Sequence, residues 1–360
     1  MTVRSRVFAT ARLLACAFIA LAFSSCRAPE RASAAAFSVE DWSGEGLVGR
    51  RYYTDHFEII STLRDREFET ALPAFCEAAH ARYVQTISFP PTESKLVTHV
   101  FADRAQWAAF TRRRFPERFD VYSRIRHGGF TEGSASAIFY VDRATALATI
   151  AHEGWHQYVN AHVVEPLPAW IDEGLGSYHE AIEYSGNEPR FTPLRNTFRI
   201  NALIDALRRD RLLTVRELVE TDAGRVLIAG DDEATHAYYA QTWALITLLR
   251  HGANGKFAGA FQRMMNDIAE GTFHARLSAL CVARQRETAA GNDGAIGNGP
   301  VNEPKGSASV DDSPSASPTA PPPVAESEGA LALIVYFDHT PEALQDVYYD
   351  HVVRVTGLVR

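Results

Sequence analysis

The pentapeptide His152-Glu153-Gly154-Trp155-His156 constrains this 360-residue chain more than any other feature. Residues i and i+4 of an α-helix share one face a single turn apart, so two imidazoles at this spacing can bind one Zn2+ at about 2.1 Å. Glu153 then stands beside the ion and not on it, where it can take a proton from water. A helix holding such a site has to be buried, and Leu147, Ile150, Ala151 and Trp155 provide its apolar face. Only Gly154 weakens it, by about 1 kcal/mol. The periodicity predicts a helix over Ala144 to Val163.

A catalytic zinc needs a third protein ligand and one open position. Two residues compete for the role. His162 lies six positions beyond His156, where metzincins carry their third histidine, but those proteins turn the chain at a glycine three residues after the second histidine, and here that position is Val159. The helix should therefore run on and point His162 elsewhere. Methionine occurs only at 1, 264 and 265, the latter two in an expected helix, so no Met-turn is evident. The other candidate is Glu173, within Leu167-Pro168-Ala169-Trp170-Ile171-Asp172-Glu173-Gly174-Leu175-Gly176-Ser177-Tyr178. Pro168 suits the first turn of a second helix, which can come back along the first and aim a carboxylate at the ion. Glu173 is the preferred third ligand.

These two segments, HEGWHQY and PAWIDEGLGSY, resemble the two-helix metal signature of the peptidase-MA-like gluzincins, the superfamily of thermolysin and the membrane-alanyl aminopeptidases. The interval from His156 to Glu173 is shorter than in thermolysin, which bears on the loop between the helices and not on the ligands. The resemblance covers residues 50 to 285 and the C-terminal helix. It implies a zinc metallopeptidase with ligands His152, His156 and Glu173, Glu153 as general base, and a cleft between two lobes with the metal on its floor. It also implies that the region Gly129 to Val141 offers an edge strand to an extended peptide, which a sheet edge can bind without reading side chains. An oxyanion partner is expected downstream, where His236, Tyr238 and Tyr239 precede Gln241 and Trp243; Tyr239 is preferred. Asp172 and Glu180 read as carboxylates that orient a ligand imidazole or simply face solvent. His127, His179 and His251 read as surface or hydrogen-bonded core residues, and Trp170 and Tyr178 as core.

Around this centre the pattern is α+β: a small mixed α/β N-terminal lobe followed by a mainly helical C-terminal lobe, with the cleft between them. Strands are expected at His56–Thr62, Leu96–Ala102 and Ala137–Val141, with a helix over Arg66–Gln85 interrupted by Pro73 and another capped by Asp103 through Phe110. An Arg-rich connection follows. The helical lobe comprises Pro168–Glu183, Arg195–Arg209, Val215–Glu220 behind a Thr214/Glu217 capping box, Ala237–Arg250 and Phe257–Ala269. Residues 287–329, rich in Gly, Pro, Ser and Ala, read as a disordered insertion, and 330–360 as a strand and helix packing back on the helical lobe.

Arg4, Arg6 and Arg12 precede the apolar run Leu13 to Phe23 and then Ser24-Ser25-Cys26, so residues 1–26 read as a secretory signal with a lipobox. The run is too short to span a bilayer, which takes about 20 residues. Residues 27–49 form the expected flexible tether and 50–286 the catalytic domain. The expectation is an exported cell-envelope lipoprotein held to the membrane only through Cys26. Cleavage within Ala32 to Ala36 would instead release a soluble secreted form. In an oxidising compartment Cys76 and Cys281 can pair, though separate buried thiols explain two such distant cysteines equally well. The formal charge of -8, or -11 without residues 1–25, argues against nucleic acid as a partner.

The expected function is zinc-dependent hydrolysis of peptide bonds in a peptide or protein substrate of the envelope. No glutamate motif for a free amino terminus precedes the active-site helix, which favours endopeptidase over aminopeptidase action. A peptidoglycan cross-link or another amide would use the same zinc chemistry. The alternative is a non-catalytic envelope lipoprotein that keeps the fold for binding or scaffolding. Glu153 speaks against it, because a structural zinc has no use for a general base.

Overall fold

The computed structural model describes residues 37–126, 128–186, 188–293 and 326–358. The expected leader, residues 27–36 of the tether and residues 294–325 of the insertion lie outside the described residues. The N-terminal lobe contains β1 (Ser38–Gly44), β2 (Leu47–Tyr53), β3 (Phe57–Ser61), α1 (Arg66–Thr86), β4 (Leu96–Phe101), α2 (Arg104–Arg114), α3 (Phe119–Tyr122), β5 (Gly129–Glu132) and β6 (Ala135–Phe139). They build one six-stranded sheet in the order β1-β2-β3-β4-β6-β5. β3, β4 and β6 are parallel neighbours, and β5 turns back antiparallel to β6 as an edge strand. The two-residue alternation sorts the faces. Phe101, Ala137 and Phe139 pack with Trp107 and Phe110 of α2 on one side, while Val100 and Ile138 join the main core on the other.

The helical lobe follows as α4 (Arg143–Asn160), α5 (Ala169–Tyr178), β7 (Ile182–Ser185), β8 (Glu188–Phe191), α6 (Thr197–Arg208), α7 (Val215–Glu220), α8 (Ala223–Ala229), α9 (Asp232–His251), α10 (Ala258–Ala269), α11 (Phe273–Asp293), α12 (Glu328–Phe337) and α13 (Pro341–Thr356). Gly174 lets α5 and α9 touch closely: a Cβ there would stand 2.6 Å from Ile246 Cγ1 and 2.8 Å from the Thr242 carbonyl. Among the described residues, no helix is long and apolar enough to cross a membrane.

Several expected boundaries are corrected. Residues 38–49, assigned to a flexible tether, form β1 and the start of β2, because Val39, Trp42 and Tyr52 belong to a hairpin paired from Ser38↔Tyr53 to Gly44↔Leu47. The domain thus begins near residue 38 and not 50. The helix expected over Pro168–Glu183 ends at Tyr178, and a two-stranded hairpin, β7–β8, follows. Pro168 is its N-cap and not its first-turn residue. Residues 287–293, placed in the insertion, continue α11. The stretch expected as a C-terminal strand is helix α12, capped by Ser327 and ended by Asp338 in the left-handed conformation. A short apolar run has no period of its own to distinguish the two. α12 is buried because it inserts into the lobe, where a Cβ on Gly329 would stand 2.1 Å from the Val219 carbonyl and where Trp170 Nε1 donates to Gly329 O at 3.2 Å. α13 joins the same packing through Tyr348, whose hydroxyl donates to Gln241 O at 3.2 Å. Pro73 interrupts nothing, since α1 runs through it. Cys76 and Cys281 are free thiols, and burial holds the Cys76 thiol well above its ordinary pKa.

Candidate metal centre

α4 starts at Asp142, whose carboxylate accepts from Thr145 N at 2.9 Å. Its buried side is bolted to the sheet lobe: Gln157 Nε2 donates to the carbonyls of Val97 at 2.7 Å and Ser134 at 2.9 Å. The Tyr83 hydroxyl donates to Ala151 O at 2.7 Å. Gly154, helix-weakening by propensity, is required by that last contact, since a Cβ would stand 2.6 Å from the Tyr83 oxygen. α5 then runs back along α4, so that His156 meets Asp172 and Glu173 while His152 meets Glu173 and Glu180.

The three expected ligands are brought together. His152 Nε2 lies 3.1 Å from His156 Nε2 and 3.1 Å from Glu173 Oε2, and His156 Nε2 lies 3.3 Å from the same carboxylate oxygen. The edge of a tetrahedron with bonds of about 2.1 Å is about 3.4 Å, so the three atoms have the spacing of three ligands on one small cation. Among the described residues no other three His, Cys, Asp or Glu side chains converge in this way. The outer nitrogens are held as well. His152 Nδ1 donates to Glu180 Oε1 at 2.8 Å, and His156 Nδ1 faces Asp172 Oδ2 at 3.0 Å, which leaves Nε2 of both rings turned inward. The donor set, two imidazoles and a carboxylate with both tautomers fixed, fits zinc.

Charge in the cluster is strongly coupled. Burial alone would lower the His152 pKa, but hydrogen bonds to Glu173 and Glu180 outweigh it and raise the value to about 9. His156 is also raised well above its ordinary value, as Asp172 and Glu173 overcome its burial. Against burial, the two imidazoles hold Glu173 well below the usual carboxylate range, and Arg199 with His152 holds Glu180 down near 2.

Glu153 projects into the cleft, where Thr131 Oγ1 of β5 donates to its Oε2 at 2.8 Å. Tyr239, from α9, lines the same cleft with its ring 5.8 Å from that of His152. Burial, with Glu173 and Glu153 nearby, pushes its pKa well up, so it stays a neutral O–H donor. Tyr238 is turned away, donating to Thr221 O at 3.2 Å. His236 lines the cleft farther out, edge-on to Phe198. His162 is bonded elsewhere, its ring nitrogens 2.8 Å from Tyr158 O and 3.0 Å from Pro90 O while it stacks on Phe89. His179 is buried among Tyr83, Trp155 and Tyr178. His251 bonds the Tyr178 hydroxyl at 2.8 Å. Trp170 and Tyr178 are core residues, and His127 lies outside the described residues.

Sequence reasoning did not find Arg199, Asn196, Thr131 or Gly176. Arg199 grips Glu180 with two hydrogen bonds of 2.8 and 2.5 Å, and its guanidinium lies 5.2 Å from the Tyr239 ring. Asn196 caps α6 and donates to Glu180 Oε2 at 3.0 Å. An Asn before a helical pattern is a readable cap signal; nothing local announces the other three. The cleft has a volume of about 1840 Å3 and is walled by α1, α4, the β7–β8 hairpin and the start of α6.

Residues 146–268 match a family described as "Protein of unknown function (DUF1570)", a stretch that includes His152, His156, Glu173 and Tyr239. No curated protein and no solved structure matches the chain.

Proposed function

We propose that the protein is a gluzincin-type zinc metallopeptidase that hydrolyses peptide bonds in the cell envelope, exported and anchored through Cys26. One observation carries the reading: His152, His156 and Glu173 offer three ligand atoms within 4.8 Å of one another, and His152 lines a cleft that Glu153 also lines. A bound zinc supplies a Lewis acid that polarises a carbonyl and brings the pKa of water to about 7. The chain's own residues do the rest.

Glu180 and Asp172 hold the two imidazoles in the tautomer that turns Nε2 inward. Glu153 follows His152 directly and is therefore rotated about 100° from it on α4, beside the ligands and not among them. It accepts the proton of the attacking water and returns it to the leaving amine. Thr131 holds its carboxylate from the edge strand. Tyr239 donates its hydroxyl hydrogen toward the oxygen that gains charge during attack. β5 supplies the free sheet edge against which a peptide extends.

The test is zinc content and cleavage of a mixed peptide library, compared between the native protein and Glu153→Ala. A peptidase keeps equimolar zinc and loses cleavage in the variant. A protein that uses the fold only for binding cleaves nothing in either form.

A further inference from the structure

The segment Arg104 to Arg126 carries seven arginines against two acids, Glu117 and Asp120, in a chain whose acids outnumber its bases. All seven arginines are exposed. Arg104, Arg124 and Arg126 line the cleft together with Gly128 and Gly129, where β5 begins. Arg104 is held by backbone and not by an acid: Nη2 donates to Ser123 O at 2.6 Å and Nε to Ile125 O at 3.3 Å. Its charge is thus fixed in place with no carboxylate on it among the described residues. Arg126 meets Asp232 at 3.3 Å across the cleft, but the two side chains are 70% and 52% exposed. Such a pair yields readily to a competing carboxylate.

Of the other arginines that line the cleft, Arg143 bridges Asp65 and Glu67, Arg199 is locked on Glu180, and Arg195 stands singly, 3.6 Å from Glu183. Three of the six lining arginines thus stand together beside the start of β5, Arg104 among them with its guanidinium on backbone carbonyls.

Strand direction tells which part of a substrate meets it. A peptide that adds to the free edge of β5 in the antiparallel sense, the slightly more stable pairing, places its C-terminal part toward Gly129. We propose that the cluster around Arg104, Arg124 and Arg126 binds a carboxylate on the C-terminal side of the scissile bond, so that the substrates are peptides with an acidic side chain or a free C-terminus at that place. This deepens the peptidase reading of the same cleft and rests on it for the polarity of the bound chain.

The experiment measures binding, so it does not depend on turnover. The full chain carrying Glu153→Ala, loaded with zinc, is titrated with four fluorescent peptides of one sequence, having Glu or Gln toward the C-terminal end and a free or an amidated terminus. At least one carboxylate-bearing peptide is expected to bind about tenfold or more tightly than the amidated Gln peptide. Preference for the amidated Glu peptide identifies a side chain; preference only for free termini identifies the C-terminus. Adding Arg104→Gln and Arg124→Gln should erase the difference in protein that still holds equimolar zinc. If those variants do not fold, the unsubstituted cluster is read by ionic strength, and the preference should collapse toward unity in 1 M salt. Equal affinity for all four peptides, absence of binding, or a preference indifferent to both the arginines and salt overturns the inference. Library cleavage by the native protein is a separate result, so either reading can fail alone.

Discussion

Asp172 and His156 are joined across α4 and α5, with Oδ2 3.0 Å from Nδ1, while the other oxygen of the same carboxylate accepts from the Trp155 indole at 3.0 Å. One side chain thus fixes the His156 imidazole and the aromatic residue beside it. Asp172→Ala is expected to weaken zinc binding about 10- to 100-fold, because the ring loses the partner that turns Nε2 inward. Competition against a chromophoric chelator measures this; unchanged affinity would mean that Asp172 is only a solvated helix acid.

Gly176 packs directly on the His152 ring. A Cβ at this position would stand 2.9 Å from His152 Cε1 and 3.0 Å from Nε2. By helix propensity alone, Gly176→Ala should stabilise α5 by about 1 kcal/mol. The expected outcome is the reverse for the site: zinc affinity falls because the imidazole is pushed off its position. Chelator competition and thermal unfolding of the same variant separate the two effects.

Glu180 and Arg199 form a buried pair, their side chains 8% and 9% exposed. Glu180→Ala leaves the guanidinium without its counter-charge and is expected to cost about 3–5 kcal/mol in urea unfolding. Glu180→Ala with Arg199→Met should recover much of that loss while zinc binding stays weak, since His152 still lacks its outer partner.

The imidazole pKa values link metal uptake to pH. His152 is raised from 6.5 to about 9, and His156 is raised as well, by the carboxylates around them, so in metal-free protein at pH 7 the pair holds an extra proton, shared between Nε2 atoms 3.1 Å apart. Zinc takes neutral imidazole, and its binding at pH 7 should release about one proton. Calorimetry in buffers of different ionisation enthalpy reads that number. Because the folded His152 value lies above the unfolded one, its stabilising contribution is complete below pH 6.5 and lost as pH rises through about 9. Metal-free protein should therefore melt at lower temperature across that interval, and zinc-loaded protein should not follow it.

What was legible in the sequence was local. His152 and His156 meet because they are one helical turn apart, and Glu173 follows from a single short connection, so spacing and Pro168 carried the geometry. Arg199 could not be found that way: it reaches Glu180 only after the β7–β8 hairpin has folded back, with Phe191 stacked on Phe75 of α1. Thr131 meets Glu153 because the sheet lies over α4, a contact set by strand order and not by any motif. The apolar run of α12 was ambiguous for a different reason. It is buried within the lobe, so no polar face gives it a helical period.

The central claim is that one cation is shared by His152, His156 and Glu173. It is tested most directly by elemental analysis of the purified native protein beside Glu173→Ala and Glu153→Ala. One zinc per chain is expected in the native protein and in Glu153→Ala, with the metal lost from Glu173→Ala. Native protein that takes up no transition metal, or Glu173→Ala that retains zinc undiminished, would contradict it.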